Sequence, residues 1–309
     1  MNKTALMFSG QGAQYVGMGK DLAEAYPAAK QWFARANQVL GYDLADVCFN
    51  GPEAELTRTE NCQPAIFLVS WISLQLLKEK MPGLEFNATA GLSLGELTAL
   101  TAAGVFSFED GLKIARQRGR FMQEACDATR GTMAALVGLD EAQAREVCKE
   151  ADVEMANLNC PGQIVISGEI DKITKAVEVA KAKGAKRAIP LTVAGAYHSR
   201  LMASGRPKVA AMLEAMTLNT PSVPVISNVT AQPHQAPADI RARLAEQVTS
   251  SVRWEESIRY LIAQGITRFI ELGPGTALSG FMKRIDKSAQ VMNIGDVTSL
   301  DVALKALGA

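Results

Sequence analysis

Short apolar runs alternate with longer stretches of helical periodicity along most of this 309-residue chain. Apolar runs bounded by turn signals predict strands, and they occur at 4–8, 87–92, 131–138, 153–158, 163–168, 186–193, 223–227 and 267–272. Apolar residues recur at every third or fourth position over 64–80 and 108–126, which predicts amphipathic helices there. This alternation favours an α/β fold with a mostly parallel sheet.

The segment 130–195 departs from the alternation, because its order is strand, helix, strand, strand, helix, strand. Its two middle strands are joined by the short turn Asn159-Cys160-Pro161-Gly162. This order is typical of a ferredoxin-like motif. We therefore predict a large α/β-hydrolase-like domain formed by 1–129 and 196–309, with an inserted ferredoxin-like subdomain at 130–195.

The composition of the chain limits the kinds of partner that it is expected to bind and the cellular compartment in which it is expected to lie. Basic and acidic residues number 32 each, so no global charge draws the chain to nucleic acid or to a membrane surface, and we expect neither as a partner. No apolar run reaches the length of a membrane span, and the start MNKTALMFSG is too short for a secretory signal. Scattered cysteines without a CxxC pair predict reduced thiols in a cytoplasmic protein, with no zinc site: Cys48, Cys62, Cys126, Cys148 and Cys160.

A candidate nucleophile lies in the segment Gly91-Leu92-Ser93-Leu94-Gly95, which follows a predicted strand and opens a predicted helix. In this context the glycines of G-x-S-x-G permit a sharp turn that exposes the serine. The helix N-terminus would offer N–H groups and the positive end of its dipole to an oxyanion. The alternative is a serine that only caps the helix.

A serine hydroxyl needs a neighbouring base, and the chain has two histidines, His198 and His234. His198 follows a strand-like run that ends at Val193, and active sites of α/β sheets gather at the carboxyl ends of strands. His234 lies in segment 228–240, which contains two prolines and no periodicity and is predicted to be an exposed loop. His198 is therefore the candidate base, and a structural histidine is the alternative.

The glycine turn Gly10-Gln11-Gly12 follows the first predicted strand. It does not fit a dinucleotide fingerprint, because Tyr15 stands where the third glycine would fall, and the chain has no phosphate-binding P-loop motif. Its N–H groups could instead face an oxyanion, or the segment could be a plain strand-to-helix turn.

Further segments complete an ordered series along the chain: Phe8-Ser9-Gly10-Gln11-Gly12-Ala13-Gln14, Gln63-Pro64-Ala65, Ser93-Leu94-Gly95-Glu96, Arg118-Gly119-Arg120-Phe121-Met122-Gln123, Asn157-Leu158-Asn159-Cys160-Pro161-Gly162-Gln163, Gly195-Ala196-Tyr197-His198-Ser199, Gln247 ahead of Val252-Arg253-Trp254, and Glu271-Leu272-Gly273-Pro274-Gly275. In this order they resemble the malonyl-CoA:acyl carrier protein transacylase family over essentially the whole chain. The resemblance implies transfer of malonyl from malonyl-CoA to the phosphopantetheine thiol of an acyl carrier protein, for fatty acid biosynthesis. It implies no metal and no bound cofactor, because coenzyme A enters with the substrate, and we expect a monomer.

The resemblance also implies a role for each matched residue. Ser93 would form the acyl ester, His198 would accept and return the proton, and the backbone carbonyl of Gln247 would orient His198. Backbone N–H groups of Gln11 and Leu94 would form the oxyanion hole. The substrate-binding residues would be Arg118, Gln63 and Asn159.

Of these, Arg118 would grip the malonyl carboxylate, which suits a guanidinium because it can bind carboxylate in a bidentate manner. Without the family segment, a solvated helix arginine would be the simpler interpretation, since Arg116 and Arg120 lie beside it.

Two positions depart from the family pattern. Leu92 precedes the nucleophile, where the family usually has histidine, and Tyr197 precedes His198, where malonyl-selective relatives often have phenylalanine. Three alternatives remain, and Leu92 suggests only the last of them. They are a free-standing acyltransferase of a polyketide or polyunsaturated fatty acid pathway, an acyl-thioester hydrolase, and a non-catalytic relative that binds the carrier.

Overall fold

The structure, a computed structural model, describes residues 3–308. Its strands are β1 (Lys3–Phe8), β2 (Ala88–Gly91), β3 (Gly131–Val137), β4 (Glu154–Cys160), β5 (Gln163–Glu169), β6 (Arg187–Pro190), β7 (Ile266–Leu272) and β8 (Gln290–Ile294). Its α-helices are α1 (Lys20–Ala25), α2 (Pro27–Leu40), α3 (Leu44–Asn50), α4 (Glu53–Thr57), α5 (Thr59–Lys80), α6 (Leu94–Ala102), α7 (Phe108–Asp127), α8 (Glu141–Ala151), α9 (Ile170–Ala182), α10 (Gly205–Glu214), α11 (Pro237–Gln247), α12 (Trp254–Ala263), α13 (Ala277–Ile285) and α14 (Val297–Leu307). A short 3-10 helix covers Arg200–Met202.

The described chain forms two compact units. The first combines the residues up to Gly119 with Thr217–Ile226 and the residues from Leu261 onward. The second consists of Arg120–Met216 and Ser227–Tyr260.

The first unit contains a parallel sheet with the strand order β2-β1-β7-β8. Phe8 at the end of β1 pairs with Gly91 of β2 on one side and with Leu272 of β7 on the other. The carboxyl ends of these three strands therefore meet at one edge of the sheet. The loops that follow β1 and β2 leave from that edge, and they carry Gln11 and Ser93.

Two predictions for the first unit were wrong in detail. Helix α5 is buried on nearly all sides as far as Leu77, so the segment 64–80 is a core helix and not an amphipathic one. The segment 223–227 is not a strand, since only an isolated bridge joins Val225 to Thr89. Pro224 has no N–H to donate to a continuous ladder. The partly exposed strand β8 was not predicted, because polar residues interrupt its apolar run.

The second unit contains an antiparallel sheet with the strand order β4-β5-β3-β6. Its element order β3-α8-β4-β5-α9-β6 is the one expected for a ferredoxin-like motif. Apolar residues from α8, α9 and the sheet form its core, including Val147, Ile166 and Ile173. The parallel α/β sheet and the separate ferredoxin-like motif are therefore confirmed. The second unit extends beyond 130–195 on both sides, and the exact subdomain boundaries stay a prediction.

The predicted exposure of segment 228–240 was wrong for part of the segment, although Gln232 and Gln235 are exposed. Asn228, Ala231 and His234 are buried, and α11 begins within the segment at Pro237. Backbone bonds close the turn, from the Ala231 N–H to the Ser227 oxygen and from the Ser227 N–H to the Gln232 oxygen, each 2.9 Å long. Prolines and missing periodicity indicate irregular backbone, and irregular backbone can be buried when its polar groups are paired.

Candidate active site

Ser93 lies at the sharp turn between β2 and α6 and has the rare backbone angles φ 52° and ψ −101°. The Leu92 N–H donates to the Phe8 carbonyl at 3.1 Å, which ties the turn to the end of β1. The N–H groups of Gly95 and Glu96 donate to the carbonyl oxygens of Leu92 and Ser93, at 2.9 and 3.1 Å. Leu94, whose amide precedes these two, is the first residue of α6, and the first N–H groups of a helix have no partner within it.

Three glycines make this turn possible. A Cβ at Gly91 would lie 2.0 Å from the carbonyl carbon and oxygen of Gly95, and a Cβ at Gly95 would lie 2.2 Å from the Phe8 oxygen. A Cβ at Gly10 would lie 2.4 Å from the Leu92 oxygen. Each of these contacts is with backbone, which cannot move aside as a flexible side chain can. The pattern read from the sequence thus has a steric basis.

Arg118 is buried to 1% exposure within the first unit. Its Nη1 donates to Oε1 of Gln63 at 2.7 Å, and its Nη2 donates to Oγ of Ser93 at 3.1 Å. The next residue, Gly119, fits closely against α5, because a Cβ there would lie 2.4 Å from the Thr59 oxygen. A buried cation therefore lies beside the candidate nucleophile.

Gln63 extends this arrangement to the loop after β1. Its Nε2 donates to Oε1 of Gln11 at 3.5 Å, and its side chain is fully buried. The Gly12 N–H, at a residue with φ 102°, donates to Oε1 of Gln14 at 2.8 Å. The structure therefore brings four of the predicted residues of the first unit into one chain of hydrogen bonds: Ser93, Arg118, Gln63 and Gln11.

In the second unit, Nδ1 of His198 lies 2.8 Å from the backbone carbonyl oxygen of Gln247, and both residues are buried. A carbonyl oxygen can only accept, so Nδ1 of the neutral ring carries the hydrogen and Nε2 presents a lone pair. Gln247 is the last residue of α11, where carbonyl oxygens lack helical partners and the dipole favours a cation. This geometry suits a histidine that gains and loses a proton at Nε2.

Asn228 supports the same region and was not predicted as a site residue. Its Oδ1 accepts from Nε2 of Gln247 at 3.4 Å, and its carbonyl oxygen accepts from the Arg253 N–H at 2.9 Å. Asn159, at the end of β4, is 5% exposed, and its Oδ1 has no hydrogen-bond partner among residues 3–308. A buried amide oxygen of this kind suits a ligand that donates a hydrogen bond.

His234, the other histidine, has a fully buried side chain whose Nδ1 lies 3.5 Å from Oδ2 of Asp239. A histidine ring that is fully buried beside a carboxylate, as His234 is beside Asp239, is typical of a residue with a structural role.

Residues 3–308 contain all five cysteines of the chain. None of the five forms a disulfide and all are buried, and burial raises the pKa of Cys126 to about 11 and that of Cys148 to about 12. No group of three or more His, Cys, Asp or Glu residues in this range is arranged to hold a metal ion. No helix in the same range combines the length and the apolar character needed to cross a bilayer.

Comparison with known proteins places this chain among acyltransferases, since the family described as Acyl transferase domain matches residues 6–300. The chain is 45% identical over 312 residues to the malonyl CoA-acyl carrier protein transacylase of Bacillus subtilis (strain 168), covering 99% of this chain and 98% of that protein. It belongs to the malonyl CoA-acyl carrier protein transacylase family, which confirms the resemblance found in its motifs.

Two solved structures agree in fold. The acyl-carrier-protein S-malonyltransferase of Bartonella henselae has a TM-score of 0.94 and 40% identity, with 99% of this chain and 100% of that chain covered. A malonyl-transacylase in complex with a type II PKS acyl-carrier protein has a TM-score of 0.95 and 39% identity, with 98% and 99% covered.

Proposed function

We propose that this enzyme transfers malonyl from malonyl-CoA to the phosphopantetheine thiol of an acyl carrier protein, and that it supplies fatty acid biosynthesis in the cytoplasm. Coenzyme A takes part as a piece of the substrate, and no bound cofactor or metal is required. Relatives named for this activity support the proposal, as does the related malonyl-transacylase whose structure contains an acyl-carrier protein.

The observation that carries the proposal is the contact between Arg118 and Ser93. The guanidinium is buried, and its two hydrogen bonds described above go to neutral oxygens, at Gln63 and Ser93. An acyl group that forms an ester at Ser93 and ends in a carboxylate would bring that carboxylate close to this cation. A guanidinium can bind a carboxylate in a bidentate manner, and malonyl provides such a carboxylate.

The reaction has two half-reactions of the same kind. Oγ of Ser93 attacks the thioester carbonyl while Nε2 of His198 accepts the hydroxyl proton. The tetrahedral intermediate collapses, the carbon–sulfur bond breaks, and coenzyme A leaves as a thiol with that proton. The carrier thiol then gives its proton to His198 and attacks the ester carbonyl, and Ser93 recovers the proton as it leaves.

The remaining residues bind and orient. The N–H groups of Gln11 and Leu94 stabilise the oxyanion, and the Gln247 carbonyl holds the ring of His198 in the tautomer that leaves Nε2 basic. Gln63 positions the Arg118 guanidinium, and Asn159 receives a hydrogen bond from the substrate. The hydrogen bonds at Arg118 and His198 support these assignments.

The proposal is tested by incubating the protein with malonyl-CoA in the absence of a carrier and measuring the intact mass. We expect one added malonyl group, mapped to the peptide that contains Ser93, and its loss when holo acyl carrier protein is added. Equal labelling of a Ser93→Ala variant would show that the nucleophile is assigned incorrectly. Release of malonate into water at the rate of turnover would indicate a hydrolase instead.

A polyketide carrier is the alternative acceptor, and one observation favours it: the related malonyl-transacylase bound to a type II PKS acyl-carrier protein is 39% identical to this chain. Transfer rates from the malonyl-enzyme to one carrier of each pathway, measured at equal concentrations, would separate the two. A faster rate with the fatty acid carrier is the expected result.

A further inference from the structure

The motif Glu271-Leu272-Gly273-Pro274-Gly275 joins the end of β7 to the start of α13, and none of its residues is used in the proposed reaction. Glu271 is buried, and its two carboxylate oxygens accept from the N–H groups of Leu278 at 3.0 Å and Ser279 at 2.7 Å. These N–H groups belong to the first turn of α13, where a helix offers them no partner. The side chain of Thr276, the N-cap residue, makes no capping bond, so Glu271 caps the helix in its place.

The residues 273–276 form the β7–α13 loop, which Glu271 holds at its far end by binding α13. At its near end, the Gly273 N–H donates to the Ile294 oxygen at 2.9 Å, which ties the loop to the end of β8. Gly273 has φ 120°, and an added Cβ there would lie 2.1 Å from Oγ of Ser70 in α5. The β7–α13 loop is therefore fixed at both ends and closely packed.

The loop after β1, which carries Gln11, lies against the β7–α13 loop at two places. Oγ of the buried Ser9 donates to the Pro274 oxygen at 3.0 Å. Further along, Ala13 fills the space beside Gly275, since a Cβ added at Gly275 would lie 3.4 Å from Cβ of Ala13. Gln11 lies between these two contacts, so the position of its backbone N–H depends on the position of the β7–α13 loop.

We propose that Glu271 and Ser9 are positioning residues for the proposed oxyanion hole. Glu271 fixes the β7–α13 loop, and Ser9 ties the loop after β1 to it, so that the Gln11 N–H is held where the oxyanion forms. A donor that is already in place stabilises the developing charge without reorganisation during the reaction. This inference rests on the proposed function, because it assumes that an oxyanion forms beside Ser93.

The test compares Ser9→Ala and Glu271→Gln with wild type in the single-turnover formation of the malonyl-enzyme. Ser9→Ala loses one neutral hydrogen bond, so we expect the maximal rate to fall about threefold to tenfold. Glu271→Gln loses the charge and has one acceptor oxygen for two N–H groups, so we expect a fall of about tenfold to a hundredfold. The malonyl-CoA concentration at half-maximal rate should change by less than about twofold, because the oxyanion is absent from the bound substrate.

The final amount of ester separates positioning from a loss of folded protein. A displaced Gln11 N–H slows the reaction of every molecule, so both variants should still reach one ester per enzyme. A lower final amount at the wild-type rate would show that the variants are only partly folded and would overturn the inference. Ser73→Ala is the matched control, since Oγ of the buried Ser73 donates to the Val69 oxygen at 3.0 Å within α5. Its rate should equal that of wild type, and a matching loss would also contradict the inference.

The acyl group gives an independent readout. An oxyanion forms with any thioester and in both half-reactions, so rates with malonyl-CoA, with acetyl-CoA and in transfer to holo acyl carrier protein should fall by similar factors, within about threefold. A loss confined to malonyl-CoA would mean that the variants disturb Arg118 and would contradict the inference.

The double variant tests whether both residues act through one loop. It should be no slower than about Glu271→Gln alone, because Ser9 has no fixed partner once the β7–α13 loop moves. Multiplicative losses would show two separate roles and overturn the inference. A wild type that forms no ester at Ser93 would refute the proposed function itself, whereas a labelled wild type with variants as fast as itself would refute only this inference.

Discussion

The two units of this protein each hold one residue of the proposed Ser–His pair at a positive φ, but they do so by different means. Ser93 is held by backbone contacts within its own turn and with the adjoining strand β1, because a Cβ at Gly91 would lie 2.0 Å from Gly95 and a Cβ at Gly95 would lie 2.2 Å from the Phe8 oxygen. His198 is held by residues far along the chain, through the Gln247 carbonyl and the close fit of Gly195 against Cys126.

This difference has a mechanical consequence. A turn that is held by close backbone contacts cannot be disrupted in part. A substitution that breaks one of these contacts should therefore move Ser93 out of its position altogether. A loop held by several side chains can lose one contact and keep the others. We therefore expect all-or-none effects around Ser93 and graded effects around His198.

The largest effect should come from Gly95→Ala. The added Cβ would lie 2.2 Å from the Phe8 oxygen, so the turn must open or the strand must shift. We expect activity no higher than that of Ser93→Ala and a free energy of unfolding lower by about 3 kcal/mol or more. Gly280→Ala is the matched control, since nothing lies within 4 Å of its added Cβ in α13 and helix propensity should stabilise it by about 1 kcal/mol. Chemical denaturation and turnover check both variants, and an active, stable Gly95→Ala would break the comparison.

The two histidines of the second unit provide the next test. His198→Ala should lower kcat by about 10² to 10⁴, the usual contribution of a positioned acid–base group. His234→Ala should lower the free energy of unfolding by about 1–3 kcal/mol, because its side chain is fully buried, and change kcat by less than about threefold. Turnover and denaturation of both variants separate the roles. Equal losses of kcat would mean that His198 acts only as a structural residue.

Arg118 tests whether the buried cation beside Ser93 selects the acyl group. Leaving a carboxylate without its buried partner costs about 3–5 kcal/mol, so Arg118→Ala should lower kcat/KM for malonyl-CoA by about 10² to 10⁴. Acetyl-CoA has no carboxylate and should not lose reactivity. Arg118→Lys should recover malonyl transfer only in part, since an ammonium cannot bind in the bidentate manner. Similar losses for both thioesters would show that Arg118 supports the site and does not select the substrate.

The smallest effect should come from Leu92→His, which restores the residue usual in the family. The side chain changes, but the backbone contacts that hold the turn, from Leu92 to Phe8 and to Gly95, remain. We expect turnover to change by less than about a hundredfold, the low end of what an acid–base group contributes. An inactive wild type revived by this change would instead favour the non-catalytic relative.

The same contrast explains which site residues could be predicted. The contacts that require glycine at 91 and 95 lie within a few residues of Ser93 and at the adjoining strand, so a local pattern was enough. Cys126, which packs against Gly195, and Asn228, which accepts from Gln247, support the His198 region from segments distant in sequence, and no local pattern marks them. The buried state of His234 was missed for the same reason.

Arg118 lies between these two cases, because a local sequence pattern marks its helix but does not single out this residue. Three alternate residues of α7 are arginines, and periodicity alone does not say which of them faces the core. In the structure Arg116 stacks over the Tyr42 ring and Arg120 pairs with Glu124, while Arg118 is buried beside Ser93. Only the family segment singled out Arg118, because the face that becomes buried depends on what packs against the helix.

The backbone angles at Ser93 restrict which amino acids could ever replace it in evolution. A branched Cβ strongly disfavours positive φ, so threonine, although it carries the same hydroxyl, would be strained at φ 52°. Cysteine has the same unbranched shape as serine and would fit. A lineage that changed its nucleophile at this turn would therefore have passed from an oxygen ester to a thioester on the enzyme, and not from one alcohol to another.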